Sequence, residues 1–100
     1  MNKKEIRHKF RTVCLIRDNY SCCMCGVSNV ELDVHHITDR HDMPNGGYVK
    51  ENGISLCNLC HIKAEECHRT GVSVLGYSPK ELYDRINSSY EMAVVSSKAR

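Results

Sequence analysis

Ile6, Phe10 and Val13 recur at intervals of four and three residues, with Cys14 beside them, and predict an amphipathic helix over residues 3–17. Lys4, Arg7 and Arg11 fall away from that apolar stripe, and the turn-prone pair Asp18-Asn19 marks the end of the helix. Tyr20 to Gly26 reads as a short knuckle. Val30, Leu32 and Val34 then alternate with Glu31 and Asp33, the period of a half-buried strand, and run directly into His35-His36-Ile37. Residues 38–52 are polar and contain Pro44-Asn45-Gly46-Gly47, which predicts a loop. A second short strand is expected at Ile54–Leu56, and a helix from Asn58 to about Arg69 that Gly71 is placed to end. Ser78, Pro79 and Glu81 form a capping-box start for a C-terminal helix over about 79–90. Leu82, Ile86 and either Tyr83 or Tyr90 would pack that helix on the body. The final VVSSKAR keeps no amphipathic pattern and is expected to fray.

The elements add up to a small α+β domain, and its length of 100 residues leaves room for only one. With one Phe and no Trp, the apolar core is modest, so a chain this small needs a staple besides its core. No apolar run approaches the roughly 20 residues needed to cross a bilayer, which argues against a membrane protein. The opening MNKKEIRHKF is charged and lacks an apolar signal core, so a cytoplasmic setting is expected. Seven cysteines, an odd number, are then better explained by metal than by disulfides.

Charge adds an asymmetry. Residues 1–17 hold six basic side chains (Lys3, Lys4, Arg7, Lys9, Arg11 and Arg17) against Glu5 alone, a balance of +5; within a total of +2 the remaining 83 residues sum to −3. A basic segment beside a mildly acidic body suits contact with a polyanion, although a solvated basic helix face explains the charge equally well.

Cys22-Cys23-Met24-Cys25 and Cys57-Asn58-Leu59-Cys60 are two C-x-x-C pairs separated by 31 residues. Each such turn presents two thiolates to one side of a tight loop, and two turns complete a tetrahedral zinc site of Cys22, Cys25, Cys57 and Cys60. Cys22 is preferred to Cys23 because it alone has the two-residue spacing to Cys25. Zinc would supply the folding free energy that the small core lacks. A thiol-redox role usually comes with a βαβ context, which this pattern lacks. Cys14 falls on the apolar side of the first helix and reads as a core residue.

Six histidines fall within 100 residues, and three of them have a framework. His35 and His36 close a strand, where neighbouring side chains point to opposite faces, so one can hold a metal while the other stays free as a base. His61 opens the helix after the second knuckle, with Glu65 one turn on along the same face. Asn52 lies just before the second strand. The two knuckles bring these segments to a common point. His8, His41 and His68 have no such framework and are expected at the surface.

The ordered string C22-x2-C25, V34-H35-H36-I37, N52-G53-I54 and L56-C57-x2-C60-H61 resembles the HNH endonucleases that carry zinc knuckles. The likeness covers residues 18–68, and the later G76-Y-S-P-K-E-L-Y83 is similar to small phage and bacterial members. It implies a ββα-metal (His-Me finger) core over about 18–70, flanked by an N-terminal basic helix and a C-terminal helix in one nuclease domain over 1–100. It implies His35 and His61 as ligands of a catalytic divalent ion, His36 as general base, and Asn52 as a brace for the loop that orients the base. Glu65 is spaced as the third ligand found in some members, or else simply meets a neighbour or solvent. Many members have Asp where this chain has His35; two imidazoles suit Zn²⁺, Ni²⁺, Co²⁺ or Mn²⁺ as readily as Mg²⁺.

The function expected is a metal-dependent DNA endonuclease of a bacterial or phage-infected cell. Phosphate contacts would come from Lys4, Arg7 and Arg11 and from Arg40 in the loop after the base. A protein partner or a homodimer is compatible with the sequence. The alternative is a non-catalytic zinc-ribbon module that binds nucleic acid or protein, which would need one structural zinc and no second, exchangeable ion.

Overall fold

A computed structural model describes residues 1–100. Helix α1 spans Lys3–Arg17, strand β1 Leu32–His36, strand β2 Gly53–Cys57, helix α2 Asn58–Thr70, helix α3 Pro79–Arg85 and helix α4 Tyr90–Ala99. The strands pair antiparallel with His35 opposite Ile54 and His36 opposite Gly53. β1, β2 and α2 thus form a ββα unit, joined to a four-cysteine cluster. No helix is long and apolar enough to cross a membrane.

The two-stranded sheet is covered on both faces, and the strand period assigns the faces. Leu32, Val34 and His36 look toward α1, whose Phe10 ring stacks on His36 at 4.6 Å. Asp33 and His35 look toward α2. On β2, Ile54 and Leu56 are fully buried in one cluster with Cys60 and Ala64 of α2. Burying a large aliphatic side chain of this kind contributes about 1.5–3 kcal/mol. Gly53 faces α1 at closest approach: a Cβ there would meet Cys14 Sγ at 2.6 Å and the Phe10 ring at 2.7 Å.

Two charged residues at the end of α1 are consumed in holding this sandwich. Arg17 grips Asp18 through Nε and Nη2 at 2.7 and 2.8 Å. It also donates to the carbonyls of Lys50 and Gly53, both at 2.6 Å. Asp18 in turn accepts the Ser55 backbone N–H at 3.0 Å. Arg17 is therefore structural and is withdrawn from the basic face counted in the sequence. Burial opposes ionisation of Asp18, but its bonds to Arg17 and Ser55 prevail and hold the carboxyl below its ordinary value. A depressed carboxyl stabilises the fold above its unfolded pKa of about 4, and the benefit fades as pH falls through the folded value. Asp18→Asn should therefore cost about 2 kcal/mol at pH 7, with the difference from wild type shrinking in melts taken at progressively lower pH. A gap that stayed constant across that range would contradict the assignment.

Several expectations need correction. Val30 is exposed and precedes β1, so the strand starts at Leu32. The 38–52 loop is folded into 3₁₀ turns at Arg40–Asp42 and Lys50–Asn52, with a tight turn between them in which Asn45 and Gly46 adopt left-handed φ of 53° and 79°. The helix expected over 79–90 is two helices: α3 keeps its capping box at Ser78 and Glu81, then stops at Ile86, and Asn87 adopts a left-handed φ of 55°. Tyr83 packs inward, whereas Tyr90 is exposed. VVSSKAR lies mostly within α4, capped by Ser89, with Ala93 and Ser97 fully buried. α4 covers the 38–52 segment, where Asn45 Nδ2 donates to the Ser97 carbonyl at 2.9 Å. Its buried stripe consists of small residues, which a search for large apolar side chains passes over.

Candidate metal centre and active site

The thiols of Cys22, Cys25, Cys57 and Cys60 lie within 4.8 Å of one another, and all seven cysteines are free. Cys25 Sγ and Cys57 Sγ are 3.7 Å apart. Two thiolates on one tetrahedral zinc, at about 2.3 Å each, would stand about 3.8 Å apart, so the cluster fits a structural Zn²⁺. Backbone geometry builds the first knuckle: Cys22 N–H donates to the Val27 carbonyl and Gly26 N–H to the Cys22 carbonyl, both at 2.9 Å. Burial opposes ionisation of Cys22, yet the backbone N–H groups of Cys25, Cys57 and Met24 bring its thiol down to about 6. Burial pushes Cys60 the other way, up to about 12, against the Tyr77 hydroxyl, which donates to its sulfur at 3.3 Å. Four thiolates side by side repel one another, and a divalent cation removes that penalty. Cys23 stands outside the group; burial and then Asp18 push its thiol up to about 12.

On the α2 face of the hairpin a second donor cluster forms. His35 is 1% exposed, and its Nδ1 lies 3.2 Å from Glu65 Oε1. The same Glu65 oxygen is 3.1 Å from His61 Nε2. His61 Nδ1 is 3.2 Å from Asp33 Oδ2, so the ring sits between two carboxylates. As a metal ligand His61 would donate Nδ1–H to Asp33, which fixes its tautomer, and turn the Nε2 lone pair toward a cation beside Glu65. Burial, partly offset by Glu65, brings His35 down to about 4, so its ring is neutral, and its Nε2 is buried without a hydrogen-bond partner. This donor set fits a divalent ion.

One difference from expectation stands out. The three donors that come within 4.8 Å of one another are His35, Glu65 and His68, while His61 joins through Glu65. His68 is half-buried and stacks on His35 at 5.0 Å, so its expected surface position is wrong. Its signal was in the sequence: His61, Glu65 and His68 are i, i+4 and i+7 on one helix face. Asp33 was also missed, although it precedes His35 by two residues and so shares its face.

His36 points to the other face. Phe10 stacks on its ring and Tyr48 meets it edge-on at 4.8 Å. Burial and then the Arg40 charge bring it down to about 4, below the ordinary value of an imidazole, so it is in its proton-accepting form at neutral pH. Its Nε2 has no partner. The ring lines a cavity of about 400 Å³ shared with His61, Arg7, Arg11, Arg40 and Tyr48. Tyr48 was not singled out in the sequence. Arg40 lies near enough to its hydroxyl to lower its pKa; burial opposes this, and Arg7 adds to the lowering. Arg11 lines the same cavity but donates Nη1 to the Leu32 carbonyl at 2.9 Å, so part of its guanidinium is committed. Lys4 is exposed further along the same face of α1.

Asn52 is fully buried and fully bonded. Its Oδ1 accepts from Thr38 N–H at 3.0 Å and the Tyr83 hydroxyl at 2.6 Å. Its Nδ2 donates to the carbonyls of Thr38 at 3.0 Å and Gly47 at 3.3 Å. Gly47, at a φ of +65°, makes room, since a Cβ there would stand 2.7 Å from Asn52 Nδ2. Asn52 thus clasps the segment after β1 to the loop and to α3.

A family model described as HNH endonuclease matches residues 13–71. The chain belongs to that family. Among curated proteins and among solved structures, none matches. HNH domains are generally nucleases, and the matched span contains both donor clusters, His36 and Asn52. The end of α1, with Cys14 and Arg17, falls inside it as well, whereas α3 and α4 lie beyond it.

Proposed function

We propose that this HNH domain is a metal-dependent DNA endonuclease in which residues 1–100 act as one unit. The observation that supports this best is the placement of the His36 ring. It lines a cavity shared with His61 and three arginines, across the hairpin from the donor cluster of β1 and α2. His35 and His61 would hold a divalent ion with Glu65; when bound, that ion supplies Lewis acidity to a phosphate oxygen and offsets charge on the leaving oxygen. His36 accepts the proton of a water that attacks phosphorus. Arg7, Arg11 and Arg40, with Lys4 further out, neutralise phosphates and hold the backbone in the cavity. Asn52 positions the segment after His36 and touches no substrate. The four cysteines hold the frame through structural Zn²⁺. The free thiols and the likeness to phage and bacterial members support a reducing cytoplasm, that of a bacterium or a phage-infected host.

The test is cleavage of supercoiled plasmid by protein treated with EDTA and then supplied with Mg²⁺, Mn²⁺, Ni²⁺, Co²⁺ or Zn²⁺. Relaxed or linear product should vanish at an EDTA dose that zinc quantitation shows to leave the cysteine site filled, and return with added metal. Undiminished cleavage in EDTA would remove the divalent ion from the mechanism. Folded, zinc-loaded protein that cuts under no metal would favour the zinc-ribbon binding module.

A further inference from the structure

We propose that His68 is a ligand of the divalent ion held at His35 and Glu65, so that α2 supplies three donors from one face: His61, Glu65 and His68. The inference rests on the nuclease reading for the ion and extends its ligand set. His35, Glu65 and His68 are the donors that close to within 4.8 Å of one another. His68 Nε2 lies 2.9 Å from the His36 carbonyl oxygen, which can only accept, so Nε2 bears the hydrogen and Nδ1 keeps its lone pair. A ligating imidazole commonly donates its second ring N–H to a backbone carbonyl, which fixes both tautomer and orientation. The ring is held further by its near-parallel stack on His35, with 23° between the planes. A second observation concerns the same site: one Glu65 oxygen faces two imidazole nitrogens, His35 Nδ1 at 3.2 Å and His61 Nε2 at 3.1 Å, where a cation would be shared. The carbonyl that orients His68 belongs to His36, so the ligand shell is tied directly to the backbone of the proposed base.

An imidazole-rich shell with a single carboxylate favours Zn²⁺, Ni²⁺ or Co²⁺ over Mg²⁺. The experiment is Co²⁺ titration of the zinc-loaded full chain by calorimetry and visible absorption, comparing wild type, His68→Ala, His68→Gln and the exposed-histidine control His41→Ala. Gln retains an amide N–H for the His36 carbonyl but offers no imidazole. Both His68 variants should bind Co²⁺ at least about tenfold more weakly, with an altered visible band, while the control matches wild type. Wild-type binding and spectrum in His68→Gln would overturn the proposal and leave the nuclease reading standing. Absence of any Co²⁺ binding by wild type would overturn the proposal, and the nuclease reading would stand or fall on cleavage with Mg²⁺ or Mn²⁺. Should the variants fail to fold, diethylpyrocarbonate labelling of the wild type decides. Co²⁺ should protect His68 and leave His41 reactive, and equal labelling of His68 with and without the ion would overturn the assignment.

Discussion

Cys57→Ser should unfold the domain, and a strong zinc chelator should do the same to the wild type. The core is too small to compensate: it is one cluster of 12 buried residues, and two of those are Cys22 and Cys60 themselves. Cys57 ends β2 and is the N-cap of α2, yet no side chain caps that helix by a hydrogen bond. Removing its thiolate therefore frees the hinge between the second strand and the helix that bears His61, Glu65 and His68. Structural zinc contributes on the order of 10 kcal/mol in small domains, comparable to the whole stability of a chain this size. Far-UV circular dichroism with zinc quantitation checks it. A folded Cys57→Ser protein with one full equivalent of zinc would show that the four-cysteine assignment is wrong. Cys23→Ser serves as the control and should keep both fold and zinc.

Asn52→Asp should be nearly as damaging, for an electrostatic reason. The substitution replaces a donor with an oxygen against two carbonyls, those of Thr38 and Gly47, at a site with no exposure. An ionised carboxylate there is buried and unpaired, which costs about 3–5 kcal/mol at neutral pH. The folded variant would hold the introduced carboxyl protonated, with a raised pKa. Its stability should therefore decline as pH rises above about 4, the opposite sign to the contribution of Asp18 in the wild type. Urea titrations from pH 4.5 to 8 read this directly. A penalty that did not vary with pH would mean that the Asn52 clasp is not the buried, fully bonded group described above.

Much of the site was legible because its residues lie where local rules are strong. The C-x-x-C spacing fixes which four sulfurs meet, strand alternation separates His35 from His36, and helix periodicity joins His61 to Glu65. The same rules, carried one step further, would have found Asp33 and His68. Other features depend on tertiary placement that periodicity does not encode. Tyr48 reaches His36 from a loop, and Tyr83 reaches Asn52 from 31 residues away. Arg17 could not be told from a solvated arginine until its carbonyl partners were in view. α4 escaped notice because Ala93 and Ser97 bury little apolar surface, so its stability comes from fitting closely over the 38–52 segment rather than from a hydrophobic stripe.

The central claim is that His36 performs the chemistry while other residues hold the metal and the DNA. The most direct measurement compares wild type and His36→Ala in plasmid cleavage with the activating divalent ion, alongside Co²⁺ affinity and DNA affinity for each protein. His36 lies on the opposite sheet face from the donor cluster, so its loss should leave both affinities within about twofold and reduce cleavage by a factor of about 10²–10⁴. Equal cleavage by the two proteins would contradict the assignment of the base.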